Sequence, residues 1–152
     1  MFGRVASLLV TSVGSIRSLT HAWDRAAAGE WQEADAALAT GTRTLGMTLP
    51  DAKADFQLNL LYLQIRFYRG LSEGVNDAFS VCLAQVADDK VDSHADRRNY
   101  LITYMARLAE SFQTRGVINR ARQVEIQSVA ADRPFDVRRV PGFIKSRYPV
   151  VT

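Results

Sequence analysis

Residues 56–68 read Phe56-Gln57-Leu58-Asn59-Leu60-Leu61-Tyr62-Leu63-Gln64-Ile65-Arg66-Phe67-Tyr68. Apolar side chains recur at three- and four-residue steps and spill onto more than one helical face. A helix of that kind cannot hide its apolar surface against a single neighbour. The stretch is therefore expected to be the central, most buried helix of an all-α protein, ended by Gly70. Upstream, Thr48-Leu49-Pro50-Asp51 carries the marks of its start. Thr48 can cap, Pro50 fits the first turn, and Asp51 stands at the capping-box spacing.

The same periodicity continues on both sides. Val5, Leu8, Leu9, Val13, Ile16, Leu19 and Trp23 make one helix face; after Gly29, a second helix carries Trp31, Ala34, Leu38 and Leu45. A fourth helix runs through Val75, Phe79, Leu83 and Val86. After the polar residues 88–92, Ser93-His94-Ala95-Asp96 offers a capping box for a fifth helix with Leu101, Tyr104, Leu108 and Phe112. Gly116 closes that helix, and a sixth carries Val117, Ala121, Val124 and Ser128. No strand-like alternation precedes residue 135, and Pro134, Pro141 and Pro149 interrupt helix beyond Asp132. The expected architecture is about six helices in three stacked antiparallel hairpins, residues 1–131. A non-helical arm, residues 132–152, follows.

The chain has 152 residues, 47% apolar and 23% charged, with one cysteine and a net charge of +3. That composition can bury a core and excludes a disordered chain or a disulfide scaffold. The charge is unevenly placed. Arg133, Arg138, Arg139, Lys145 and Arg147 face only Asp132 and Asp136 in the arm, which accounts for the whole excess and leaves the body neutral. A free thiol fits a reducing compartment, and Cys82 sits among Phe79, Leu83 and Val86 as a small buried hydrophobe. Residues 1–10 hold a single positive charge and a short apolar stretch, but Thr11, Ser12, Gly14 and Ser15 dilute the pattern and no Ala-x-Ala site follows. No run has the length of a transmembrane span, and Phe2 excludes N-myristoylation. The expectation is a cytoplasmic protein without a membrane association.

Residues that carry chemistry are sparse. Asp88, Asp89, Asp92, His94 and Asp96 are the densest set of metal-ligating types. A calcium loop would need a turn glycine and a terminal bidentate Glu, and a zinc site would need more His or Cys. The run is read as loop solvation and helix capping, with no metal and no cofactor. Neither a phosphate-binding Gly-rich loop nor a nucleophile elbow is present, and His21 and Glu110 read as helix-surface residues. The chain is read as a non-enzyme without a small-molecule substrate. Leu108 to Gln123 lacks the tight turn of a DNA-binding helix-turn-helix, and Glu110 and Glu125 flank its arginines.

Gly29, Gly70 and Gly116 each join two helices at intervals of forty-odd residues. Two junctions share a pattern, Gly29-x-Trp31-x-x-Ala34 and Gly116-x-Ile118-x-x-Ala121. Glycine permits the tight turn, the bulky residue packs back, and Ala lets helices approach. In these residues the chain resembles the tetratricopeptide repeat family. Leu108, Ala109, Phe112, Gly116, Ile118 and Ala121, followed by Pro134, make the fullest copy. Ala22, Gly29, Trp31, Ala34 and Leu38 make another, with Arg25 where an aromatic is usual, and the middle unit keeps little beyond Gly70. The spacing exceeds the family's unit of about 34 residues. The resemblance implies a concave groove lined by the first helix of each pair, with Gln64, Tyr68, Glu110 and Gln113 facing it.

The arm is too apolar for a plain flexible terminus, with Phe135, Val137, Val140, Phe143, Ile144, Tyr148, Val150 and Val151. It is expected to pack either on its own body or on a neighbouring subunit or partner. Arg138, Arg139, Phe143, Lys145, Arg147 and Tyr148 are its candidate contact residues. These features point to protein–protein interaction: an adaptor, a small chaperone-like scaffold, or a helical subunit of a larger assembly, bound to a protein partner or to copies of itself. The alternative is a nucleic-acid-associated accessory protein, in which the arm's basic residues hold phosphates while Phe143 and Tyr148 stack bases.

Overall fold

Helix α3 (Phe56–Arg69) runs through the centre of the computed structural model, which describes residues 17–150. Phe56, Leu60, Leu61, Leu63 and Ile65 on it are buried almost completely, as its all-round apolar pattern requires. Around it stand α1 (residues 17–27), α2 (Trp31–Thr44), α4 (Val75–Ala87), α5 (Ala95–Thr114) and α6 (Arg120–Ala130). Helix α3 packs against α2, α4 and α5, while α6 pairs with α5 and also touches α4. Helix α2 approaches α1 so closely that a Cβ at Gly41 would press on Leu19. The result is all-α, a stack of hairpins α1–α2, α3–α4 and α5–α6, with no strand among the described residues. The face read through Val5, Leu8, Leu9, Val13 and Ile16, the start at residues 1–10, and Val151 all lie outside the described residues.

The three hairpin junctions close alike. At Gly29, Gly70 and Gly116 the glycine N–H donates to the carbonyl three residues back, and the next N–H to the carbonyl five residues before it. Each glycine has a φ between 70° and 77°, the left-handed conformation that ends a helix with its last carbonyls satisfied.

Three local expectations are corrected. Thr48 does not cap α3. The helix begins at Phe56, where the Asp55 carboxylate accepts the Leu58 N–H at 2.8 Å. Residues 51–55 are held outside the helix by buried amides: Asn59 accepts from the Asp51 N–H (3.1 Å) and donates to the Asp51 carbonyl (3.0 Å), and Gln85 donates to the Ala54 carbonyl (2.7 Å). At α5, Ser93 is not the cap. The Asp92 carboxylate accepts the His94 N–H at 2.8 Å and pairs with Arg97 at 2.6 Å. The arm, expected to be non-helical, holds a 3₁₀ turn (Val137–Arg139) and a short helix, α7 (Gly142–Arg147). Its prolines flank these turns rather than interrupt them. Pro141 immediately precedes the first helical residue, where a missing N–H costs nothing, and Pro149 follows the end.

Gly74 opens α4 at φ 78°, and a Cβ there would lie well short of van der Waals contact distance from the Tyr62 hydroxyl. Both constraints exclude a side chain. Replacing Gly74 by Ala is expected to cost about 1–3 kcal/mol, which lowers the melting temperature by roughly 2–4 °C per kcal/mol. Adding Tyr62→Phe should recover part of the loss, because it removes the clashing oxygen. A thermal melt of Gly74→Ala that overlays the wild-type curve would refute the steric account.

Candidate functional site

The first helices of the three hairpins turn one face toward the arm, and each contributes polar contacts to it. The arm is anchored at its root on α5. Asn99 donates to the Pro134 carbonyl (3.0 Å), the Asp96 carboxylate accepts the Asp136 N–H (2.9 Å), and Phe135 meets Tyr100 edge-on with centroids 5.3 Å apart. Val140 and Ile144 then enter the core. Of the acidic run, Asp92 thus holds the His94 N–H and Arg97, Asp89 pairs with Arg98, and Asp96 holds the arm. No cluster of three or more potential metal ligands occurs among the described residues.

Tyr148 lies at the deepest point, with none of its surface exposed. Its hydroxyl accepts from the Trp23 indole N–H of α1 (3.0 Å) and donates to the Gln57 carbonyl of α3 (3.1 Å). Its ring packs at 5.2 Å from that of Tyr104 on α5. One side chain therefore ties together all three first helices. Burial pushes the Tyr148 phenol well above the usual tyrosine range, partly opposed by the Trp23 hydrogen bond. The hydroxyl stays protonated, as its donation to Gln57 requires. Burial raises the Tyr104 phenol likewise, against the hydrogen bond it receives from Gln64.

The main chain around Tyr148 is read as well. The Gln64 amide donates to the Arg147 carbonyl and to the Tyr104 hydroxyl, both at 2.8 Å. The Tyr100 hydroxyl donates to the Tyr148 carbonyl (2.6 Å) and accepts from the Val150 N–H (3.1 Å). Peptide groups of residues 147, 148 and 150 are thus satisfied by side chains of α3 and α5, as buried backbone requires. The Arg147 guanidinium lies 4.3 Å from the Trp23 ring centroid and 5.1 Å from that of Phe143, so the cation sits between two aromatic faces.

The candidate residues separate into distinct groups. Gln64 was expected to face an open groove, but the groove at that point is filled by the chain's own arm. Tyr148, on an arm expected to pack either on its own body or on a partner, packs on its own body and is wholly buried there. Both placements have one cause: the arm's apolar residues find cover on the nearest apolar face. Arg138 and Arg139 point to solvent and share Asp136, at 3.1 and 3.9 Å. Phe143 is 53% exposed, and Lys145 donates to the Val137 carbonyl at 3.3 Å. Tyr68 and Glu110 line a shallow cavity of about 250 Å³ beside Tyr104, Ser111 and Pro149, where the arm leaves the groove. Tyr68 also stacks on Trp31, with centroids 4.3 Å apart and planes 6° from parallel. Gln113 is half-buried and stands outside that cavity.

Trp23, Tyr100 and Tyr104 were not among the candidates. Their signal was present, since aromatic rings with polar tips stand on helix faces where a purely apolar core would use Leu or Phe. Compared with known proteins, the chain matches no family model, no curated protein and no solved structure. No helix among the described residues is long and apolar enough to cross a membrane.

Tyr148→Phe should cost about 1–3 kcal/mol by leaving the Trp23 indole without an acceptor. Tyr148→Ala should cost about 3–5 kcal/mol by opening a cavity as well. Urea midpoints test both, and a Tyr148→Ala midpoint equal to wild type would show that the pocket contributes nothing. Cys82 is buried, and burial pushes its thiol up to about 12. It should resist a thiol reagent at pH 8 in the native protein and react on unfolding. Rapid native labelling would contradict that burial.

Proposed function

We propose that this protein is an interaction module that holds a short segment of protein, a helical turn and the residues after it, on the face formed by α1, α3 and α5, as an adaptor or a helical subunit of an assembly rather than as an enzyme. The observation that carries this reading is the way residues 147–150 are held. Gln64 and Tyr100 hydrogen-bond the main chain, and Trp23 with the Gln57 carbonyl reads one tyrosine hydroxyl. Main-chain bonds supply affinity whatever the side chains of the segment, and a single deep side-chain pocket supplies selection. The hairpin stack and its first-helix face accord with the likeness to tetratricopeptide repeats, whose grooves are used in this way. A free buried thiol accords with a cytoplasmic setting.

In this reading the arm is the groove's resident occupant, and a partner segment must displace it. A partner's apparent affinity then falls in proportion to the fraction of molecules with the groove open. The nucleic-acid reading draws less support from the arm's basic residues. Arg138 and Arg139 share a carboxylate, Lys145 is turned to a backbone carbonyl, and Arg147 lies between two rings.

A fluorescein-labelled peptide of residues 141–152, titrated by anisotropy into full-length protein, tests the proposal. Affinity should rise from wild type to Tyr148→Phe to Tyr148→Ala, by about tenfold or more overall, as each loosens the resident arm. A peptide with Ala at the tyrosine position should fail to bind. If the intact peptide binds none of the three proteins while circular dichroism shows them folded, the groove is not a binding site.

A further inference from the structure

A second cavity, of about 400 Å³, opens between α2 and α3 beneath residues 47–49 and shares no lining residue with the arm groove. Its walls divide into two chemistries. Leu38, Met47, Leu49 and the Tyr62 ring make the apolar part. Arg43 from the last turn of α2 and Arg66 from α3 supply cations. The one acid in the lining, Asp35, is already ion-paired with Arg69 and leaves those cations uncompensated. Thr42 donates its hydroxyl to the carbonyls of Leu38 and Ala39, so it is spent inside its own helix.

Arg66 is the unusual member. Among the described residues Arg66 makes no ion pair; its guanidinium lies 4.8 Å from the Tyr62 ring centroid, and because its Nε is sealed from solvent only the outer nitrogens can meet a ligand in the cavity. A cation with no counter-ion beside an apolar wall favours an anion that also carries hydrocarbon. The planar fork matches the paired oxygens of a carboxylate or a phosphate, and the carboxylate, planar and the smaller of the two, suits so small a cavity. The volume lies at the lower end of the range for small-molecule sites.

We infer that this cavity binds a small amphiphilic carboxylate, with the carboxylate on Arg66, Arg43 at the mouth, and the hydrocarbon body against Leu38, Met47 and Leu49. Neither class of contact suffices alone. The apolar wall is too small to hold a long lipid chain, and an inorganic anion would leave that wall unfilled.

Titration calorimetry of the full-length protein with sodium octanoate, 1-octanol and sodium acetate tests this inference. Octanoate should bind saturably at one site, at least tenfold more tightly than either of the others. Arg66→Gln should weaken octanoate about tenfold or more and leave octanol unchanged, with Arg66→Lys intermediate. Methyl NMR on the wild type gives a readout independent of variants: octanoate should shift the Met47 and Leu38 methyl signals and leave those of Ile144, at the arm, in place. Octanoate binding no tighter than octanol, binding unaffected by Arg66→Gln, or shifts at Ile144 instead of Met47 would each overturn the assignment.

Discussion

Helix α3 is buried along most of its length, and the two amides it carries into the interior, Asn59 and Gln64, must find their hydrogen-bond partners inside the protein. Asn59 spends its amide on residues 51–55 and so sets the path by which the chain reaches α3. Gln64 spends both of its N–H bonds on Tyr104 and on the Arg147 carbonyl. With an apolar residue at 64, the Arg147 carbonyl would lose its donor. The arm's position is thus a consequence of the same burial that makes α3 central. Stability and the candidate binding face draw on one set of contacts, and neither can be altered without touching the other.

Much of the body was legible because its signals are local. Apolar periodicity through residues 56–68 and 95–112 belongs to the helix that carries it, and Gly29, Gly70 and Gly116 mark turns through their own backbone preference. What was not legible depends on partners far along the chain. Thr48 looks like a cap, but Asn59 and Gln85 claim the following residues and the helix starts at Asp55 instead. Three prolines within the arm argued against helix, yet Pro141 precedes a helical segment that Val140, Ile144 and Tyr148 anchor in the core. The tie between Trp23 and Tyr148 spans almost the whole described chain, and no pattern in either neighbourhood announces it. Gln64 was recognised as a groove residue, and Tyr148 as a contact residue of the arm. That they belong to one contact is tertiary information.

The excess positive charge also changes meaning once it is placed. A basic segment suggests a partner with many phosphates. Here the cation nearest the groove, Arg147, is enclosed by Trp23 and Phe143, and the exposed Arg138 and Arg139 have Asp136 beside them. The charge serves the fit of the arm to the body more than it projects a field into solvent. Elsewhere, Arg43 and Arg66 line the second cavity without an ion-pair partner among the described residues, far from the arm in sequence and inside a neutral body.

The arm follows in the chain all three helices on which it rests, and that order bears on biosynthesis. A ribosome makes Trp23, Gln64 and Tyr100 well before Tyr148, and at ordinary elongation rates the interval between Tyr104 and Tyr148 is on the order of several seconds. Helical hairpins form far faster than that. Each newly made molecule therefore passes through a stage in which the helices of the first-helix face have been made and the arm that covers Trp23 and the two tyrosines of α5 has not. On the proposed reading, a segment that reaches the nascent chain in that interval meets no competitor, whereas one that arrives later must displace the arm. For this fold, the last stretch to leave the ribosome is the one that closes the core.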